Sequence, residues 1–130
     1  MSCCTLVYKV IDSFYEAYKV LGLGLDEEMY CSLLTKEFSL KGLSFLRCND
    51  LKTNYNNEIF MSGFIIDERI MALIKSRPSI PEKFEAWLFN YFKTGKYPLC
   101  FLVNFGANKL DIKYRVYRPQ VELGLSIAGG

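Results

Sequence analysis

The segment Arg69-Ile70-Met71-Ala72-Leu73-Ile74-Lys75 constrains this chain most. Its apolar residues do not alternate with polar ones, so both faces of a strand here would be apolar. Such a strand has to lie inside a sheet and be covered on both sides. A second apolar run, Ile59–Ile66, precedes it across Asp67-Glu68 and is expected to be its hairpin partner.

Around this pair the chain reads as a mixed α/β domain. Val7, Val10, Ile11, Phe14, Tyr18 and Leu21 recur at helical spacing and predict an amphipathic helix over Leu6–Leu21, ended by Gly22 and Gly24. Asp26 is the expected N-cap of a second helix, with Glu27 and Glu28 in its first turn. Met29, Leu33, Leu34 and Phe38 are its expected buried stripe, and Gly42 lies just past its end. Leu43–Cys48 reads as a strand and Asn49–Asn57 as a polar loop. Ser79 and Glu82 stand at capping-box spacing, with Pro81 near the first turn. They open a helix through Phe84, Trp87, Leu88 and Tyr91, which Gly95 closes. Leu99–Phe105 and Leu110–Tyr117 complete the order α-α-β-β-β-α-β-β, which predicts a mixed central sheet flanked by helices.

With 130 residues the chain has the length of one domain. It contains no histidine, which excludes Ser-His-Asp and Cys-His nucleophiles and histidine metal ligands. Its five cysteines are irregularly spaced and form no C-x-x-C pair, so zinc and iron–sulfur sites are not expected. Scattered thiols fit a reduced, cytoplasmic protein. No apolar run is long enough for a membrane span, and no signal peptide is legible at the N-terminus. Net charge is −3 over residues 1–40 and +5 over residues 41–130, a bias compatible with nucleic acid but too small to argue for it.

Glu27 and Tyr30 share a helix face after Gly24. Taken alone, Glu27 reads as a dipole-favouring first-turn residue and Tyr30 as half-buried packing. Yet Gly24-x-x-Glu27-x-x-Tyr30, with Leu34 and Glu37, resembles the signature of the GxxExxY family, within the PD-(D/E)XK nuclease-like superfamily. Downstream, Ile59–Lys75 resembles the family's central hairpin, which ends in a Glu-x-Lys strand. Asn90-Tyr91-Phe92-Lys93-Thr94-Gly95 resembles its helix end. Leu102-Val103-Asn104-Phe105-Gly106 and Leu110-Asp111-Ile112-Lys113 resemble its last strands. The similarity spans about residues 6–118 and implies a single nuclease-like domain over 1–130, with 119–130 a short tail expected to be flexible.

The resemblance implies an active site in which an Asp and the Glu of Glu-x-Lys hold Mg²⁺, the metal activates water, and the Lys adds positive charge. A helical Glu supplements the metal shell, and a Gln-x-x-x-Tyr pair lines the site. Here Lys75 stands at the lysine position, Glu27 at the helical Glu and Tyr91 at the tyrosine. Gly63 stands at the Asp position, Leu73 at the Glu position and Trp87 at the Gln position. Asp67, Glu68 and Glu58 lie too far along the hairpin to substitute. The implied reading is a vestigial site of Glu27, Lys75 and Tyr91, with no cofactor expected and the chain acting as a nucleic-acid- or protein-binding module. An active Mg²⁺-dependent nuclease with a rebuilt site, and a structural homo-oligomer, are the alternatives.

Lys109, Lys113, Arg115 and Arg118 interleave with Tyr114 and Tyr117, a pattern for DNA or RNA phosphate contact with base stacking. The same charges also suit a solvated edge strand protected from aggregation.

Overall fold

The computed structural model describes residues 3–48, 62–93, 95 and 97–117. The loop Asn49–Asn57, Glu58, Arg118 and the 119–130 tail fall outside them. Two helices come first, α1 (Cys3–Leu21) and α2 (Glu27–Leu40). They are followed by β1 (Phe45–Cys48), β2 (Gly63–Ile66), β3 (Ile70–Lys75), α3 (Glu82–Lys93), β4 (Leu99–Asn104) and β5 (Asp111–Val116). Element order matches the sequence expectation, and the five strands form one sheet in the order β1-β2-β3-β4-β5. Among the described strands only β3 and β4 run parallel; α3 is the crossover between them.

Every residue of β3 and β4 is buried, as two-faced apolarity requires. Alternation along β3 divides the core. Ile70, Ala72 and Ile74 join Phe14, Leu34, Phe38 and Phe101 beneath α1 and α2. Met71 and Leu73 join Phe84, Leu88, Phe92 and Leu102 beneath α3.

The β2–β3 hairpin turns through Asp67 and Glu68, both in left-handed backbone conformation at φ 53° and 58°. This conformation suits the right-handed twist of a tight hairpin, and the Arg69 guanidinium bonds the Asp67 carboxylate across the turn.

The helix faces differ from expectation in detail. Met29 is 48% exposed, and Tyr30 and Cys31 take the buried stripe with Leu34 and Phe38. Tyr30 is completely buried rather than half-buried, because its hydroxyl finds partners in the loop before α2. Asp26 occupies the N-cap without a side-chain cap bond. At α3 the Glu85 N–H donates to the Pro81 carbonyl, so Pro81, not Ser79, stands at the helix entrance. A Ser79 capping box would have required the helix to begin two residues earlier. No helix among the described residues is long and apolar enough to cross a membrane.

Candidate functional site

Lys75 ends β3 on the side of the sheet shared by Met71 and Leu73. It is a buried cation, 4% exposed. Glu27, the first residue of α2, brings Oε1 to 3.8 Å from its Nζ. The same carboxylate accepts the Ser62 hydroxyl at 3.3 Å through Oε2 and the Ser76 N–H at 3.4 Å through Oε1. Ser76 is tied down in turn, its hydroxyl donating to the Leu25 carbonyl. A buried ammonium needs a paired charge, and a carboxylate removed from water needs donors. Glu27 and the two serines answer both needs.

The loops behind this pair interlock. Gly24, at φ 85°, donates its N–H to the Phe105 carbonyl; the left-handed conformation turns the chain from α1 into α2. The Tyr30 hydroxyl donates to the Gly22 carbonyl at 2.8 Å and accepts the Leu25 N–H at 3.2 Å, closing the same loop. The Tyr30 ring stacks on Phe105. Asn104, opposite Lys75 in the β3–β4 register and 3% exposed, clamps the segment after β3. Its Oδ1 accepts the Arg77 and Gly106 N–H groups, and its Nδ2 donates to the Arg77 carbonyl. At Gly106 an added Cβ would lie 2.1 Å from the Arg77 nitrogen, so the two backbones touch where only glycine fits. The Gly-x-x-Glu-x-x-Tyr and Asn-Phe-Gly segments, distant in sequence, are thus two halves of one clamp that presents Glu27 to Lys75.

Gly63 and Leu73 are direct partners in the β2–β3 register, which runs without a bulge from Gly63 to Ile70. The two positions at which the resemblance implies metal carboxylates therefore face each other. One has no side chain, and the other is 1% exposed within the α3-side core. Trp87 packs against that same core. It stacks on Phe84 at 6.3 Å and on Tyr91 at 5.6 Å, and Tyr91 is 42% exposed. Apolar bulk thus fills the space beside Leu73.

Mg²⁺ requires several oxygen ligands in near-octahedral array. Neither Gly63 nor Leu73 supplies one, and the Glu27 oxygens are engaged by Ser62, Ser76 and Lys75. Among the described residues no group of three or more Asp, Glu, Cys or His is placed to hold a metal. The described residues do not fit the divalent ion that the fold family implies.

The basic residues of the last strand are brought to one face, but they are occupied. Lys113 Nζ bonds Glu85 Oε2 at 2.6 Å and lies 3.7 Å from Asp111 Oδ2; the Glu85 hydrogen bond raises its pKa. The Arg115 guanidinium lies over the Phe89 ring, 4.5 Å from its centroid. Lys109 is exposed in the β4–β5 loop, and Arg118 lies outside the described residues.

Sequence reasoning missed Ser62, Ser76 and the structural role of Asn104. Serines next to strand ends carry no periodic signal, and only the fold brings residues 27, 62 and 76 together.

A helical pair, an antiparallel hairpin and a return through a helix to a parallel strand, with a buried lysine closing the central strand, define a nuclease-like α/β fold. The chain matches the family model of the PD-(D/E)XK nuclease superfamily over residues 4–116 and belongs to that superfamily. No curated protein and no solved structure was found to match it.

Proposed function

We propose that this chain is a catalytically inactive nuclease-like protein of the GxxExxY type, retained in the cytoplasm as a binding or assembly module. One observation supports the reading: Gly63 and Leu73, at which the resemblance implies metal carboxylates, are partners across the hairpin in a layer filled by apolar side chains. Glu27 and Lys75 then act as a structural ion pair, and Tyr91 as part of an aromatic surface. Phosphodiester hydrolysis at such a site lacks the paired anions that would hold a metal and orient water.

The ligand is a nucleic acid or another protein. The Trp87–Tyr91 stack favours the former, because a flat, part-exposed aromatic pair is a platform on which an unpaired base can stack.

Plasmid nicking with Mg²⁺ and with Mn²⁺ tests the reading. No turnover above buffer is expected. Turnover abolished by Lys75→Ala overturns it and favours a rebuilt nuclease. Titration with single-stranded oligonucleotides over a salt series, with Tyr91→Ala as the control, separates nucleic-acid binding from protein assembly.

A further inference from the structure

Strand β5 ends the sheet: it pairs with β4, and no other strand joins it among the described residues. The Tyr117 N–H donates to the Pro98 carbonyl, in line with the antiparallel register that sets Val116 opposite Leu99. In such a ladder each residue turns both of its backbone groups the same way, and successive residues alternate. The odd-numbered residues of β5 therefore face β4, while Ile112, Tyr114 and Val116 aim their N–H and C=O groups outward from the edge. The Tyr114 carbonyl accepts the Arg115 guanidinium at 2.7 Å and keeps a second lone pair.

Beside this edge, on the α1 side, lies an apolar groove of about 440 Å³. Val7, Tyr8 and Ile11 of α1 form one wall, and Tyr114 and Val116 form the other. Tyr8, Ile11 and Tyr15 follow one another at steps of three and four residues, so they share a face of α1. Tyr8 is 71%, Tyr15 49%, Tyr114 58% and Val116 45% exposed. A contiguous apolar surface of this kind marks an interface.

The edge is complementary to itself. Antiparallel pairing with a second copy about a two-fold axis sets the same surface against itself, and opposed charges choose the register. With Tyr114 on the axis, Lys113 stands opposite the partner's Arg115, twice. With Ile112 on the axis, Lys109 stands opposite the partner's Arg115, twice. With Lys113 on the axis, Asp111 stands opposite the partner's Arg115 twice, and Ile112 stands opposite the partner's Tyr114. Lys113 then meets its own copy, but each is neutralised by its Glu85 at 2.6 Å.

We propose that two copies of this chain join β5 to β5 about Lys113 as one continuous sheet. Ile112 exchanges backbone hydrogen bonds with the partner's Tyr114, and Tyr114 with the partner's Ile112. An axis perpendicular to the sheet keeps both grooves on one side, where Tyr8, Tyr15 and Tyr114 of the two copies close them into one apolar layer. Trp87 packs on the opposite, α3 side of the sheet, so its stack with Tyr91 stays clear of the joint. The dimer stands whether or not the chain hydrolyses phosphodiesters.

Sedimentation equilibrium on the full chain is expected to give a dimer; a monomer at high micromolar concentration overturns the proposal. Hydrogen exchange at the Ile112 and Tyr114 amides should slow as protein concentration rises. Protection independent of concentration shows an edge covered within one chain and overturns pairing with a second copy. Asp111→Arg and Arg115→Asp should each weaken self-association on the order of tenfold or more, by setting like charges opposite each other. Mixed in equal amounts, the two variants should associate with each other, because every pair between positions 111 and 115 is again of opposite sign. Misfolded variants would not rescue one another in this way. Failure of the mixture to associate overturns the register, and self-association unaffected by either variant overturns the interface. Tyr8→Glu is expected to weaken the dimer with far-UV circular dichroism unchanged; undiminished association overturns closure of the groove.

Discussion

The Tyr30 ring lies flat on Phe105, with centroids 4.1 Å apart and planes inclined by 13°. The contact joins the start of α2 to the end of β4, and so sets where Glu27 stands relative to Lys75. Tyr30→Phe keeps the ring but leaves the Gly22 carbonyl and the Leu25 N–H without their partner. Loss of about 1–3 kcal/mol is expected. Phe105→Ala, which empties a buried ring site, should cost about 3–5 kcal/mol. Urea unfolding of the two variants checks the order.

At Gly106 the backbone of Arg77 leaves no room for a side chain. Gly106→Ala is expected to destabilise by about 3 kcal/mol, since backbone rather than a movable side chain must yield. Asn104→Leu should cost a comparable amount by orphaning the Arg77 and Gly106 groups that Asn104 satisfies. Thermal unfolding reads both.

The ion pair is asymmetric, because Lys75 is 5% and Glu27 27% exposed at the side chain. Glu27→Gln leaves a buried ammonium facing a neutral amide, at an expected cost of about 1–3 kcal/mol, reduced by the partial exposure of the site. Lys75→Met leaves a carboxylate that still has Ser62, Ser76 and water, and should cost less than about 1 kcal/mol. A catalytic requirement would show no such ordering in stability. Equilibrium unfolding of the two variants in parallel is the measurement.

Burial pushes the Cys31 thiol up to about 11 and the Cys100 thiol up to about 12 from an ordinary value of 9.0. Burial likewise pushes the Tyr117 phenol up to about 12 from 10.0. Well below pH 9 both folded and unfolded chains hold these protons. Above it the unfolded chain releases them first, so the native state binds more protons and stability falls as pH rises. Alkaline unfolding is therefore expected to set in above about pH 9, and Cys100→Ala to blunt it. At pH 8 no more than three of the five thiols should react with a disulfide reagent until denaturant is added.

Placing carboxylates at both positions tests the site directly. Leu73→Glu alone buries a charge in the α3-side core and is expected to destabilise by about 2–4 kcal/mol. With Gly63→Asp added, the two carboxylates face each other across the hairpin. Mn²⁺ should then raise the Tm of the double variant and leave that of the native chain unchanged.

Order and type of the elements were legible in the sequence because each rests on local pattern. The apolar run of β3, the helical spacing of Val10 and Phe14, and the breaks at Gly22, Gly42 and Gly95 all speak within a few residues. The facing of Gly63 and Leu73 turns on one residue: counting from a two-residue turn at Asp67-Glu68 sets Gly63 opposite Ala72, whereas the observed register pairs Ile66 with Ile70 and keeps Arg69 in the turn. The rest of what could not be read was tertiary. Met29 and Tyr30 are neighbours that both suit a buried stripe, and the choice falls to Tyr30 because Phe105, from far along the chain, offers it a flat partner. Ser62 and Ser76 acquire a role only when β2 and β3 end beside α2.

The pairing of an absent side chain with a buried leucine makes the present state hard to leave. A lone acid at Leu73 enters an apolar layer, and a lone acid at Gly63 meets a hydrocarbon partner. Each first step lowers stability before any second step can supply a ligand to share. On the proposed inactive reading, a metal site here is therefore reached only by changing both strands together.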